Sequence, residues 1–336
     1  MQIGREPDSQ AGQTRPMMKP TAWKPDDPRR TPVTLRCQYL EQGYSDRSLA
    51  IMVRDGTLAR PRRGAYVAGD VWRDVDEVGR HSIRARAVLA QARTEVALSH
   101  VSGLLEYDAP IWGLGLDDVH LTRADGRIGR PEAGVRQHRG ALEEGDVVER
   151  NGVPVTSPTR LALEVTTMTD VEAGLCVVND LLHRGLTTES ALAERYQRMS
   201  QWPNSLTTDM VLRLADPLIE SIGETRAFHL LFRHSLPMPV PQYEVKEANG
   251  RVLGRVDFAW PELGVFLEFD GRVKYEKLLK PGQRPSDVVI AEKRREDRIR
   301  RATGWRCVRI TWSDLEHPAR TIEMIRQALF PAGAAA

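Results

Sequence analysis

Apolar and polar positions along this chain change period several times, and each change marks an element. Between Thr34 and Val53 the residues Leu35, Leu40, Leu49 and Val53 supply apolar faces for two short helices divided at Gly43-Tyr44. Ser45 stands where its side-chain oxygen can cap the second helix. After Gly56 the period drops to two: Thr57 to Val67 alternates as a hairpin, with Gly64 at the turn and Arg60, Arg62 and Arg63 at its tip. From Val78 to Arg198 helical and strand-like segments follow without a repeat. Within them, Ser157 before Pro158 reads as the cap of a helix that carries Arg160 outward.

The final third is patterned most regularly. Ser221-Ile-Gly-Glu224 is a capping box, and Leu230, Leu231 and Phe232 belong to the helix it opens, which Pro237 and Pro239 end. Two strands, Gln242 to Ala248 and Arg251 to Trp260, flank Asn249-Gly250, a strong hairpin signal. Pro261 to Gly264 turns the chain into a third strand, Val265 to Asp270. A loop, Leu278 to Asp287, leads to a basic helix, Val288 to Thr303, stopped at Gly304. A strand from Trp305 to Trp312 and a helix from Pro318 to Leu329 complete the order helix, hairpin, strand, helix, strand, helix.

These patterns divide the chain of 336 residues into a disordered tail over 1–31, a helix-turn-helix with a hairpin over 32–75, a middle α+β region over 78–200 and a C-terminal domain over 210–330. Five prolines, Pro7, Pro16, Pro20, Pro25 and Pro28, among polar residues underlie the tail assignment. The fold class is therefore multidomain α+β. A hydrophobic content of 41% supports a core. No apolar run has the length of a spanning helix or a signal peptide, so a cytoplasmic protein without a membrane partner is expected. The three cysteines, Cys37, Cys176 and Cys307, lie far apart and read as small buried hydrophobes. Net charge is only +2, so any case for a polyanionic partner rests on local clusters.

Two such clusters exist. Helix, turn, helix and basic hairpin is the layout of a winged helix-turn-helix. It would set the helix Ser45 to Arg54 in a major groove, with Arg47 and Arg54 as polar readers and Arg60, Arg62 and Arg63 along phosphates. The second cluster is the basic helix, in which Arg294, Arg298 and Arg301 recur at helical spacing on one face. Both also read as solvated charged surfaces.

Candidate chemistry sits in the C-terminal strands. Asp257 lies near the end of the second strand, and Glu268 and Asp270, two apart in the third, point to one face of the sheet. Carboxylates converging from neighbouring strands suffice to hold Mg²⁺ together with a substrate phosphate. Each acid also has a structural reading: Glu224 in its capping box, Asp270 in the turn at Gly271, Asp257 on a solvated edge strand. Glu268 resists one, because in GVFLEFDG its neighbours are apolar and a buried carboxylate without a partner is costly. His100, His120 and His138 are too dispersed for a spacing-based metal motif and read as structural histidines.

Three blocks, SIGETRAFHLLFRHSLPMPVPQYEV, GRVDFAWPELGVFLEFDGRVKY and EKRREDRIRRATGWRCVRITWSDL, resemble the Vsr-like domain of unknown function. That domain is a PD-(D/E)XK relative named for very-short-patch-repair endonucleases. The resemblance implies a restriction-endonuclease-like α-β-β-β-α-β core. It further implies Asp257 and Glu268 as ligands of Mg²⁺ or Mn²⁺, Asp270 at the third motif position and Glu224 as the accessory helix acid. Two departures stand out. Asp270 occupies the place of the motif lysine, and Lys274 stands where relatives with E-x-D-G often carry histidine, so that Lys274 would supply the missing positive charge. The zinc-site cysteines of mismatch-repair enzymes are absent. Upstream, EQGYSDRSLAIMVRDGTLARPRRGAYV, LSHVSGLLEYDAP and GVPVTSPTRLALEV resemble the winged-helix end of AbiEi-type antitoxins and the segments that follow it.

Two readings stay open. In one, the winged helix targets double-stranded DNA and the C-terminal domain is a metal-dependent endonuclease. In the other, the protein is an AbiEi-like antitoxin or transcriptional repressor with a degenerate nuclease fold and a toxin partner.

Overall fold

The computed structural model describes residues 22–127, 132–199, 202, 204–247, 249–271 and 295–331. The fold is mixed α+β with several sheets, and the chain divides into two compact units. Unit 1 comprises residues 1–108, 116–163 and 184–200, and unit 2 comprises 109–115, 164–183 and 201–336. Among the described residues no helix is long and apolar enough to cross a membrane.

Unit 1 opens with a short strand β1 (Thr34–Leu35) and two helices, α1 (Arg36–Glu41) and α2 (Asp46–Arg54). Ser45 caps α2 by accepting from the Ser48 N–H at 3.1 Å. Strands β2 (Leu58–Arg62) and β3 (Ala65–Ala68) form the expected hairpin, and β1 joins it to give the order β1-β3-β2. Leu49, Leu58 and Tyr66 form its small core. Helices α3 (Gly69–Asp74) and α4 (Glu77–Gln91) follow.

A five-stranded sheet fills the rest of the unit in the order β6-β5-β4-β8-β7. It is built from β4 (Val96–Leu98), β5 (Val119–Arg123), β6 (Val135–His138), β7 (Val147–Arg150) and β8 (Val153–Thr156). Between β4 and β5 runs the short helix α5 (His100–Leu105), fully buried. Helix α6 (Pro158–Thr166) follows β8.

Three expectations about this region are corrected. Arg160 does not face outward: it is fully buried and its Nη1 donates to Asp146 Oδ2 at 2.6 Å, while Arg195, on α8 (Glu189–Gln197), grips the same carboxylate at 2.8 Å. One buried carboxylate here meets two guanidiniums, and a helix pattern alone does not show that a long basic residue has such a partner within reach. The proline-rich stretch is anchored over its last residues, although Lys24, Pro25, Asp26 and Pro28 are exposed. Trp23 is only 5% exposed, its N–H donates to Asn151 Oδ1, and the Arg29 guanidinium lies 3.7 Å from the centre of its ring. Cys37 is exposed, whereas Cys176 is buried and Cys307 half-buried.

Unit 2 carries α7 (Val171–His183), α9 (Ser205–Leu214) and α10 (Ile222–Arg233), then a four-stranded sheet in the order β12-β11-β10-β9. Its strands are β9 (Val240–Lys246), β10 (Val252–Trp260), β11 (Val265–Asp270) and β12 (Arg306–Thr311). Strands β9, β10 and β11 are antiparallel in succession, and β12 runs parallel to β11. The parallel pairing requires a crossover, and helical residues 295–303 (α11) lie in it. Helices α12 (Trp312–Leu315) and α13 (Pro318–Leu329) close the unit.

Both faces of this sheet are covered. Phe258, Leu267, Phe269 and Ile310 pack with Leu231 of α10 and with Ile322 and Ile325 of α13. Val245, Val256, Ala259 and Phe266 pack with Ile299 of α11 on the other face. Gly223 of α10 has no alternative: a Cβ there would overlap the Phe269 ring.

Candidate functional site

The expected acids fall on adjoining elements of unit 2: Glu224 on α10, Asp257 on β10, and Glu268 and Asp270 on β11. Ser221 caps α10, and Glu224, 1% exposed, accepts from the Ser221 hydroxyl at 2.6 Å and from Gln242 Nε2 at 2.9 Å. Gln242 has φ +49, in the left-handed region, and lies in β9 across from β10. The neighbouring pairs Val256↔Tyr243 and Phe258↔Pro241 are in register, yet Val256 packs on the α11 face and Phe258 on the α10 face. The side-chain alternation slips at Asp257. Its carboxylate turns into the plane of the sheet, where Oδ2 accepts from the Phe269 N–H of β11 at 2.8 Å. Strand β10 is thus a central strand, and the solvated-edge account of Asp257 does not hold.

On β11, Glu268 follows Leu267 and so faces α11. It is 6% exposed, and Oε1 accepts from Arg295 Nη2 at 2.9 Å. Arg295 reaches it across β10, where its Nη1 donates to the Arg255 carbonyl, and Gly254 leaves room for its stem: a Cβ at Gly254 would stand 3.0 Å from Arg295 Cγ. Asp270 lies 3.8 Å from Arg309 Nη1, whose Nη2 pairs with Glu296 at 2.6 Å. Register places Arg309 beside Glu268. Sequence reasoning did not single out Arg295 and Arg309 as partners of these acids; the burial of Glu268 was the signal that some cation must be near.

Asp257, Glu268 and Asp270 therefore occupy adjoining strands, with Glu224 tied in through Gln242. Their carboxylates do not converge on one point as a group of three. Lys274 and Arg294 lie outside the described residues. Arg298 and Arg301 are exposed on α11.

In unit 1, Arg47, Arg54, Arg60 and Arg63 are exposed. Arg62 differs: its guanidinium donates to Gln91 Oε1 at 2.8 Å and pairs with Glu132, so it anchors the hairpin rather than extending from it.

A feature that sequence reasoning dismissed stands in the five-stranded sheet. His100 at the start of α5, His120 on β5 and His138 on β6 have ring nitrogens all within 4.8 Å of one another. Among the described residues this is the group of three or more His, Cys, Asp or Glu side chains close enough to share an ion. His120 Nδ1 and His138 Nε2 are 2.8 Å apart, and the His100 and His138 rings stack at 3.5 Å between centroids. Burial pushes all three imidazoles down, His120 to about 4 and His138 to about 3, with the Arg136 charge adding to both and His120 also acting on His138. His100 has φ +49. No local spacing signals this group, because α5, β5 and β6 meet only in the folded sheet.

The chain matches no protein family. It is 24% identical over 262 residues to proteins of Mycobacterium tuberculosis, from strains CDC 1551 / Oshkosh and ATCC 25618 / H37Rv, that are described as uncharacterized. The match covers 74% of this chain and 91% of the relative, so it extends beyond either compact unit.

Proposed function

We propose that the protein is a DNA-binding, metal-dependent endonuclease, in which the N-terminal segment is a winged helix-turn-helix and the last part of unit 2 a PD-(D/E)XK-type core. The observation that carries this reading is the slip at Asp257, which brings its carboxylate to the β11 backbone beside a buried Glu268. The order α10-β9-β10-β11-α11-β12, with β11 and β12 parallel, supports the same reading. So do the exposed Arg47, Arg54, Arg60 and Arg63.

Asp257 and Glu268 offer the hard oxygen donors that Mg²⁺ or Mn²⁺ takes, and one or two such carboxylates with phosphate oxygens are enough. When bound there, the ion supplies an acidified water and charge against the phosphate. Arg295 and Arg309 would then turn from the carboxylates to the scissile phosphate, which accepts bidentate guanidinium donors well. Glu224 holds Gln242, which stands across from Asp257 in β9.

A second reading has its own support: Glu268 is ion-paired with Arg295, as expected of a degenerate core that only binds, in an AbiEi-like antitoxin or repressor with a toxin partner. The two are separated by Mg²⁺- and Mn²⁺-dependent cleavage of plasmid, linear and single-stranded DNA and of RNA. Under the nuclease reading Glu268→Gln lowers the rate by more than about 100-fold while metal-free DNA affinity holds. Absence of cleavage by the wild type with either ion would overturn the nuclease and leave the binding platform. Arg60→Ala with Arg63→Ala should flatten the salt dependence of DNA binding by a slope of about 2, as two phosphate contacts require.

A further inference from the structure

We propose that His100, His120 and His138 form a binding site for one divalent transition-metal ion of the zinc class, with water completing its coordination. The site is independent of the nuclease reading, and its donors are of the opposite kind: imidazole nitrogens, which suit Zn²⁺, Co²⁺, Ni²⁺ or Cu²⁺ rather than Mg²⁺.

Geometry is the main ground. In a tetrahedral zinc site Zn–N is ~2.0–2.1 Å, which puts ligand nitrogens about 3.4 Å apart. Here they lie within 4.8 Å of one another, and one pair is already at 2.8 Å. Stacked rings aim their lone pairs side by side, so coordination needs a rotation of one imidazole. His138 is the one able to turn, since it is half-buried at the end of the edge strand β6 while His100 and His120 are only 4% exposed. An ion would take the place of the proton shared between His120 Nδ1 and His138 Nε2.

The surroundings resemble the second shell of a metal centre. Ser99 Oγ is 3.1 Å from His100 Nδ1, which orients that ring. Ser102 Oγ accepts from the His120 N–H at 2.8 Å and also meets His81 Nε2 at 2.8 Å, fixing the start of β5 to α4 and α5. Thr122, two residues beyond His120 and register partner of His138, is 1% exposed, and its hydroxyl has no hydrogen-bond partner. A buried hydroxyl left unsatisfied on that face is what a metal-bound water would serve. The nearby Arg160 charge, which would oppose a dication, is paired with Asp146 at 2.6 Å, Arg195 on the same carboxylate is paired in turn with Glu143 at 2.9 Å, and Arg136 is exposed.

The test uses the full chain, freed of metal with EDTA and titrated with Co²⁺. Visible d–d absorption should saturate at one equivalent and be displaced by Zn²⁺. His138→Gln should weaken Co²⁺ binding beyond the ~10–100-fold typical of losing a second-shell partner, and Ser99→Ala should fall within that range. Glu268→Gln should leave the cobalt signal unchanged, which distinguishes this site from the carboxylates of unit 2. Should His138→Gln fail to fold, His138→Cys keeps a ligand and should add a thiolate-to-cobalt charge-transfer band. No Co²⁺ absorption in the wild type, or an equal band in folded His138→Gln, would overturn the site.

Discussion

Two buried polar regions of this protein solve the same physical problem in opposite ways. At the end of β11, Glu268 keeps its charge and a guanidinium from α11 crosses β10 to meet it. In the five-stranded sheet, His100, His120 and His138 are forced neutral by burial and by the arginines near them, and they stack on one another. A carboxylate taken out of water needs a countercharge, and an imidazole can give up its proton instead. The carboxylates therefore depend on precise partners in neighbouring elements. The histidines need only each other, a pair of serines and the absence of acid.

Acid is accordingly the strongest way to break the contrast. Burial pushes His120 down to about 4 in the folded chain from its ordinary 6.5, so the unfolded chain binds more protons between these values. Its contribution to stability is complete above the unfolded value and is lost as pH falls toward the folded one, by on the order of 3 kcal/mol. His138, pushed down to about 3, acts in the same direction. Burial is the main cause of both values; Arg136 lowers both further, His81 from α4 lowers His120 and Asp118 raises it, and His120 lowers His138. Denaturant unfolding of the metal-free protein, followed from neutral pH downward, should show this loss, and His120→Phe should flatten it. A stability that does not change between pH 6.5 and about 4 would mean that these rings are not buried as neutral groups.

The charged region should respond next most strongly, to Arg295→Met. This removes the guanidinium seen on Glu268 and keeps the apolar stem that packs beneath Gly254. Breaking a fully buried pair costs ~3–5 kcal/mol; because Arg295 is 31% exposed at its side chain, about 2 kcal/mol is expected here. Mg²⁺ should then stabilise the variant more than the wild type, since the Arg295 guanidinium no longer competes with the ion for Glu268. Chemical denaturation with Mg²⁺ and with EDTA measures both effects; if Mg²⁺ affected the two proteins equally, Glu268 would not be a place where a divalent ion binds.

The smallest effect sharpens the same contrast. His138→Gln in metal-free protein at neutral pH removes a half-buried neutral ring and leaves no charge behind, so stability should shift by less than about 1 kcal/mol. A thermal melt beside that of Arg295→Met decides it. A loss equal to that of Arg295→Met would show that the histidine cluster is held as tightly as the ion pair.

How much of this was legible in the sequence differs between the regions. Ser45 and Ser221 as caps, Gly64 and Gly250 as turn residues, and the strand Val265–Asp270 were read correctly, because capping, turns and alternation are local and act within a few residues. Glu268 was also legible as an anomaly, since an acid in an apolar strand demands an explanation. Its explanation was not: Arg295 reads as one of many basic residues on a charged helix until the β11-α11-β12 crossover lays that helix over the sheet. The same holds for Arg160, whose Asp146 lies in another segment, and for Trp23, which a composition rich in proline disguised.

What the sequence determined by itself is the set of elements and the acids they carry, since hydrogen bonding along the backbone and the period of apolar residues act over short range. Only the tertiary structure decided which side chains share a space. His120 and His138 are 18 residues apart and no rule of spacing joins them, yet the parallel pairing of β5 with β6 and the start of α5 above them set three imidazoles side by side. The contact of Asp257 with the Phe269 N–H is likewise made across strands, and Gln242, with φ +49, stands across from it in β9. Proximity across strands is fixed by register, and register is a property of the packed sheet as a whole.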